Sequence, residues 1–78
     1  MTTAYILIQT GVGRADHVAK QVGQIPGVTE SDHVTGPYDV IARAEAASLD
    51  EVMSSVVRAI QSLEDTTRTI TCPVVSIR

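Results

Sequence analysis

The sequence predicts an α+β domain in which four β-strands and two helices follow one another in the order β-α-β-β-α-β. Apolar residues recur at helical spacing over residues 14–25 and 48–63, and extended runs flank both stretches. Glycine and proline pairs separate these stretches, which is typical of turns. The chain has 78 residues, 44% of them apolar, so one small domain covering residues 1–78 is predicted.

The first strand and the first helix differ in apolar periodicity. Residues 4–9 are apolar at nearly every position, which indicates a strand buried on both faces. Gly11 and Gly13 then break the strand, and Pro26-Gly27 ends the helix that follows. The apolar face of this helix is formed by Ala15, Val18, Ala19, Val22 and Ile25.

The two middle strands are predicted to occupy different places in the sheet. Residues 28–35 are polar except for Val28 and Val34, so this strand is expected at an edge. Residues 38–45 carry apolar side chains on both faces and are expected at the centre. The turn between these strands is Gly36-Pro37.

The second helix begins at a recognisable cap, and the last strand ends in a proline. Ser48 is the predicted N-cap, with Glu51 in the capping-box position. Residues 67–75 form the last strand, where Pro73 cannot donate to a ladder and so indicates an edge. The predicted apolar stripe of the helix is Leu49, Val52, Met53, Val56, Val57, Ile60 and Leu63.

This element order is that of the ferredoxin-like, split βαβ plan. Two right-handed crossovers place the first and third strands at the centre, in agreement with their apolar character. Both helices then cover one face of a four-stranded antiparallel sheet. The other face carries Tyr5 and Leu7, and an apolar sheet face is not left in water. We therefore expect a dimer formed by sheet packing.

Composition and charge exclude several classes of function. The net charge is −3 and there is no run of Lys or Arg, so direct nucleic-acid binding is not expected. The longest apolar run, residues 4–8, is far shorter than the ~18 residues of a membrane span, and the N-terminus does not resemble a signal peptide. A cytoplasmic protein is expected. His17 and His33 have no companions at metal-ligand spacing, and neither a metal nor a cofactor is predicted.

The turn Gly36-Pro37-Tyr38-Asp39 is the main candidate for a binding site. It gathers a flexible glycine, a phenol and a carboxylate at the mouth of a hairpin, where loops on a rigid sheet tend to hold small molecules. The alternative is a hairpin corner in which Asp39 caps exposed N–H groups. The threonine-rich run over residues 66–71 offers hydroxyls, or simply reflects the β-propensity of threonine. Cys72 is expected to act as a small buried hydrophobe, and no catalytic residue is predicted.

Three motifs in order resemble the C-terminal effector domain of the Lrp/AsnC (feast/famine) transcription regulators. They are Ile25-Pro26-Gly27-Val28, Val34-Thr35-Gly36-Pro37-Tyr38-Asp39 and Thr67-Arg68-Thr69-Ile70-Thr71. The resemblance covers residues 4–76. Glu64-Asp65 depart from it, because they stand where the family usually has Pro-Gly. Met1 comes three residues before the first predicted strand, so a stand-alone member without the family's helix-turn-helix domain is expected.

The resemblance implies a non-enzymatic module that senses an amino acid, oligomerises and modulates transcription indirectly. It implies dimers formed by sheet packing and rings of dimers, commonly octamers. Co-assembly with full-length regulators is a further hypothesis. The implied effector lies between neighbouring dimers. There, Asp39 could pair with an α-ammonium group and the N–H of Gly36 could approach a carboxylate. The implied binding residues are Gly36, Pro37, Tyr38 and Asp39, with Thr67 and Thr69.

Two other functions share this fold. A dimeric α/β-barrel enzyme would need polar catalytic residues on the helix-free side of the first and third strands, which offer mostly Val, Ile, Leu and Ala. A regulatory module of the ACT type also binds amino acids, but such modules are usually appended to enzymes.

Overall fold

Four antiparallel strands form one sheet in the order β2-β3-β1-β4. The computed structural model describes residues 1–75, so residues 76–78 of the predicted domain lie outside the described residues. The strands are β1 (Thr2–Thr10), β2 (Val28–His33), β3 (Val40–Ala46) and β4 (Thr66–Pro73). The predicted ferredoxin-like plan is confirmed, with β1 and β3 at the centre and β2 and β4 at the edges.

Two helices cover one face of this sheet. The first, α1, spans Ala15–Gly23. The second, α2, runs over residues 49–61 and is α-helical at both ends, with a π-helical section at Val52–Val57. The core lies between these helices and the even-numbered side chains of β1 and β3. Its fully buried members include Ile6, Ile8, Val18, Val22, Val40, Ala42, Val52 and Ile60.

The start of α2 has the predicted Ser48 cap, but the return bond of Glu51 goes to the residue before the cap and not to Ser48 itself. The Glu51 N–H donates to Ser48 Oγ at 3.2 Å, and Glu51 Oε2 accepts from the Ala47 N–H at 3.2 Å. The predicted apolar stripe is wrong at Leu49 and Met53, which are 41% and 45% exposed. Leu49 is the first residue of the helix, and Met53 lies in the π-helical section, where apolar spacing at 3.6 residues per turn no longer applies.

The ends of β2 and β3 also differ from the prediction. β2 ends at His33 instead of residue 35, and β3 begins at Val40 instead of residue 38. Pro37 has no N–H for a ladder, and Gly36 takes a φ of 150°, which side-chain-bearing residues rarely adopt. Residues 34–39 therefore form a loop and not a tight hairpin.

The helix-free face of the sheet is apolar at one end and charged at the other. Leu7 pairs with Ile41 on one side and with Ile70 on the other, which makes an apolar row across three strands. Arg43 Nη1 donates to Glu45 Oε2 further along the same face. This hydrogen bond is the main cause that raises the pKa of Arg43 above its ordinary value. The face is thus less uniformly apolar than expected.

The position of Cys72 on this face explains why its side chain is exposed. The residue lies opposite Tyr5 in the β1–β4 register, and Tyr5 is 42% exposed. Cys72 is exposed, so the expectation of a buried thiol is wrong. The reason is that an edge strand turns half its side chains to the face that no helix covers.

Both edge strands carry features that disfavour pairing with a further strand. Glu30 and Asp32 project from β2, whose pairing with β3 shifts register between Val28 and Glu30. On the other edge, β4 ends at Pro73, which has no N–H to donate. Within residues 1–75, no helix is long and apolar enough to cross a membrane.

Candidate functional site

The loop over residues 34–39 is held in place at its base and at its tip. At the base, the Val34 N–H donates to the Asp39 carbonyl oxygen at 2.8 Å. At the tip, Gln9 Nε2 donates to the Pro37 carbonyl oxygen at 3.0 Å. Gln9 follows Leu7 on the helix-free side of β1, so this bond draws the loop toward that face.

Gly36, Pro37 and Tyr38 share one hollow of about 390 Å³. Its other lining residues are Leu7, Val34, Thr35 and Ile41. Because Leu7 and Ile41 belong to the helix-free face, the hollow opens on that face. Among residues 1–75, those that line it carry no formal charge, and its polar groups are the Thr35 hydroxyl, the Tyr38 phenol and the backbone. It is an apolar pocket with a polar rim.

Asp39 faces the opposite side of the loop. Its Oδ2 accepts a hydrogen bond from the Thr10 N–H at 2.9 Å and lies 3.4 Å from Thr10 Oγ1. The carboxylate borders a second hollow, of about 450 Å³, which also contains Asp16, His33 and the turn at residues 11–13. The N–H-capping role considered as the alternative for Asp39 is therefore present in the structure.

Thr67 and Thr69 lie at a third place. They border a hollow of about 240 Å³ together with Gln61, Thr66 and Arg68. Gln61 Nε2 donates to Thr69 Oγ1 at 3.1 Å. Thr66 Oγ1 is buried and has no hydrogen-bond partner within residues 1–75. Within the described part of the protomer, the Thr69 hydroxyl is therefore hydrogen-bonded and the Thr66 hydroxyl is not.

All three hollows lie at the same end of the sheet, but β1 separates the third from the others. Ile8 of β1 pairs with Val40 on one side and with Thr69 on the other. Since neighbouring strands are ~4.8 Å apart, Thr69 lies roughly 10 Å from the start of β3. The structure thus brings Gly36, Pro37 and Tyr38 together, and it does not bring Asp39, Thr67 and Thr69 into the same hollow.

The remaining loops at this end are also tied together. The Gly11 N–H donates to the Asp65 carbonyl oxygen at 2.9 Å, and Arg14 Nε lies 3.8 Å from Asp65 Oδ1. The turn at residues 11–13, where Gly11 and Gly13 end β1, is thus joined to Asp65 in the loop before β4. Among residues 1–75, no three His, Cys, Asp or Glu side chains are placed to hold a metal ion.

Sequence reasoning missed the residues that shape this end of the sheet from β1. Leu7 forms part of the apolar hollow, Gln9 holds the loop tip and Thr10 binds Asp39. The alternation of β1 does put Leu7 and Gln9 on one face, but the length and path of the 34–39 loop decide that it reaches them. That path is not readable from strand periodicity.

A ferredoxin-like sheet with two helices on one face and an apolar hollow at one end defines the class of fold, a small α+β domain. Residues 3–77 match the family model described as the Lrp/AsnC ligand binding domain. The chain therefore belongs to the Lrp/AsnC family, which confirms the resemblance seen in its motifs.

Relatives of known sequence and structure agree with this assignment. The chain is 32% identical over 74 residues to the helix-turn-helix-type transcriptional regulator PF0250 of Pyrococcus furiosus, covering 90% of this chain and 49% of that protein. It thus spans about half the length of the curated relatives it matches. The crystal structure of TTHA0845 from Thermus thermophilus matches with a TM-score of 0.90 and 32% identity, over 100% of this chain and 98% of that one.

A third match extends the fold to a regulator solved with a bound amino acid. The structure of the transcriptional regulator NMB0573/L-Met complex from Neisseria meningitidis matches with a TM-score of 0.81 and 18% identity. The match covers 96% of this chain and 50% of that one. At this identity the likeness shows the shared fold alone.

Proposed function

We propose that this chain is an amino-acid-sensing and oligomerisation domain that modulates transcription indirectly, without catalysis and without binding DNA itself. The observation that carries the proposal is the apolar hollow formed by the 34–38 loop in a domain of the Lrp/AsnC ligand-binding family. Small-molecule sites are commonly apolar concavities with a few placed polar groups. The L-Met complex of NMB0573, which shares this fold, supports an amino acid as the class of ligand.

The polar groups on the two sides of the loop suit a zwitterion. The backbone at Gly36 is open, because a Cβ built there meets no atom within 4 Å, and this leaves room for a ligand carboxylate to approach. Asp39 offers an acceptor for an α-ammonium group. A carboxylate has about four lone-pair positions, so the bond from Thr10 leaves acceptor capacity free.

We also propose that the site is completed by assembly. Within one protomer, the 36–38 hollow and Asp39 lie on opposite sides of the loop, and Thr67 and Thr69 lie beyond β1. A ligand held between neighbouring dimers of a ring such as an octamer would meet these groups from more than one copy. The dimer itself would form through the apolar row of Leu7, Ile41 and Ile70. Because Leu7 and Ile41 also line the hollow, the second copy would then form part of its wall. DNA binding would come from full-length family members that co-assemble with this domain.

The helix-free face offers less support for the barrel-enzyme alternative. Such an enzyme needs free polar side chains on that face. Arg43 and Glu45 are polar and lie there, but they form an ion pair with each other, which favours a structural role. Tyr5 packs beside this pair, opposite Arg43 in the register.

Calorimetric titration of the twenty common amino acids into the protein tests the proposal. Binding of at least one of them, with a sedimentation coefficient larger than that of an 8.3 kDa monomer, is expected. The control is the same panel as N-acetylated amides, which lack both the ammonium and the carboxylate groups and should not bind. If every amino acid fails to bind up to millimolar concentration, the sensing function is refuted.

A further inference from the structure

We infer that two copies of this chain pack face to face about a twofold axis that runs along the strands, so that Asp32 of each copy pairs with Arg68 of the other. The inference rests on the dimer put forward under the proposed function and specifies how its two copies are oriented. It concerns the charges at the edges of the helix-free face, because the apolar row in the middle of that face is compatible with more than one orientation.

The β2 edge of the helix-free face is acidic. Ser31 Oγ donates to the Ala19 carbonyl oxygen of α1 at 2.7 Å, so Ser31 lies on the helix side of the sheet. Because side chains alternate along a strand, its neighbours Glu30 and Asp32 lie on the helix-free side. Both are exposed, and neither forms an ion pair with another residue of the range 1–75. This edge therefore presents two negative charges to whatever packs on the face.

The β4 edge of the same face is basic. Thr69 accepts a hydrogen bond from Gln61 Nε2 of α2 and so lies on the helix side. Arg68, the residue before it, pairs with Gln9 and lies on the helix-free side. It is exposed and forms no ion pair within residues 1–75. The two edges are three strand spacings apart, about 14 Å, so their opposite charges do not meet within one copy.

Symmetry leaves two ways to pack this face on its own copy with the strands aligned. A twofold axis across the strands lays each edge on the same edge of the other copy, so acidic residues face acidic residues and Arg68 faces the Arg68 edge. Like charges placed opposite one another across an interface are unfavourable. A twofold axis along the strands lays the acidic β2 edge over the basic β4 edge, twice in each dimer. The charge distribution therefore favours the axis along the strands.

The register brings the opposite charges within reach of one another in this arrangement. Asp32 pairs with Ile41, Ile41 with Leu7, and Leu7 with Ile70. Asp32 and Ile70 are therefore level across the sheet, and the axis lays Asp32 over Ile70 of the other copy. Arg68 is two residues further along β4, about 7 Å, a distance that a long arginine side chain covers. The same axis makes both copies of β1 run in one direction, so both 34–39 loops lie at one end of the dimer.

The first test reverses the two charges singly and together. Asp32→Arg and Arg68→Asp each place like charges opposite one another twice in the dimer, so each should raise its dissociation constant about tenfold or more. The double variant restores opposite charges and should return the dissociation constant close to the wild-type value. Asp50→Arg and Arg58→Asp make the same changes of charge at exposed positions of α2 and should have little effect. Sedimentation equilibrium measures the association, and circular dichroism checks the fold.

The second test is a cross-link that reports the orientation without reversing a charge. Glu30 pairs with Arg43, Arg43 with Tyr5, and Tyr5 with Cys72, so positions 30 and 72 are level at opposite edges of the sheet. The axis along the strands lays position 30 of one copy over Cys72 of the other. Glu30→Cys treated with a short bismaleimide should therefore give a covalent dimer. Glu30→Cys combined with Cys72→Ser is the control and should give none, because the two copies of position 30 lie at opposite edges of the dimer.

The ways of failing are distinguishable. Wild-type association in both folded single variants, or a double variant that stays as weak as they are, overturns the pair between Asp32 and Arg68. A covalent dimer that persists when Cys72 is replaced shows that like edges face one another and overturns the axis. If the charge variants do not fold, the cross-link decides. A wild-type protein that stays monomeric overturns the oligomerisation part of the proposed function together with this inference, whereas failure of every amino acid to bind overturns the sensing part alone.

Discussion

The backbone N–H of Thr10, at the end of β1, donates a 2.9 Å hydrogen bond to Asp39 Oδ2 in the loop before β3. The backbone of Asp39 is engaged as well. Its N–H donates to the Ile8 carbonyl at 2.9 Å, and its carbonyl accepts from the Val34 N–H at 2.8 Å. One residue therefore joins β1, the loop after β2 and the start of β3, so Asp39 has a structural role in addition to its proposed ligand contact.

Asp39→Ala should lower the free energy of unfolding by about 1–2 kcal/mol, because the half-buried Thr10 N–H loses a charged acceptor. Asp39→Asn keeps an acceptor oxygen in the same place and should cost less than half as much. Urea unfolding at one fixed protein concentration measures both. Equal losses in the two variants would show that charge, and not the hydrogen bond, is what stabilises this corner.

The same pair of variants separates the structural role of Asp39 from ligand binding. If Asp39 pairs with the α-ammonium group, Asp39→Asn should weaken amino-acid binding about 10- to 150-fold, which corresponds to the ~1.5–3 kcal/mol of a charge-assisted hydrogen bond. The measurement is calorimetric titration of the tightest-binding amino acid. Asp16→Asn is the control, since Asp16 borders the same hollow from α1 and is not proposed to contact the ligand. Wild-type affinity in Asp39→Asn would remove Asp39 from the site.

Leu7→Asp should abolish self-association. Leu7 is at the centre of the apolar row on the helix-free face, and burying an unpaired carboxylate there should weaken the dimer more than ~100-fold. Multi-angle light scattering at micromolar concentration gives the mass. Met53→Asp makes the same change of charge at an exposed position on α2 and should leave the mass as in wild type. The dimer surface lies elsewhere if Leu7→Asp keeps the wild-type mass.

Ser48→Ala should lower the free energy of unfolding by about 1 kcal/mol, because the Glu51 N–H loses its capping acceptor. For a domain of this size the melting temperature should fall by roughly 4–8 °C. Ser54→Ala, at an exposed position inside α2, is the control and should have little effect or a slightly stabilising one. Calorimetric melting at one protein concentration makes the comparison. Similar shifts in both variants would show that the cap contributes nothing specific.

Much of the architecture could be predicted because the polarity of each strand indicates how deeply it is buried in the sheet. The polar run of β2 and the terminal Pro73 identified the edges, and the doubly apolar β1 identified the centre. Ser48 and Glu51 marked the start of α2 through a local hydrogen-bond pattern. These are properties of a few neighbouring residues, which is why they can be read without the fold.

What could not be predicted depends on backbone paths and on helix geometry. Met53, which is exposed, lies in a π-helical section that apolar spacing alone does not reveal. The direction of Asp39, away from Tyr38, depends on how the 34–39 loop turns. At the candidate site, the sequence thus predicted which residues form the loop, but not which side of the loop each side chain faces.

The two edges of the sheet restrict how copies of this chain can add to one another. Glu30 and Asp32 on β2, and Pro73 at the end of β4, disfavour the strand-by-strand templating that produces open-ended fibres. Growth by continuous hydrogen bonding from sheet to sheet is therefore disfavoured, and association is directed to side-chain contacts between faces and loops. Such contacts bury a finite surface on each copy, and an assembly built from them would reach a defined size where its symmetry closes.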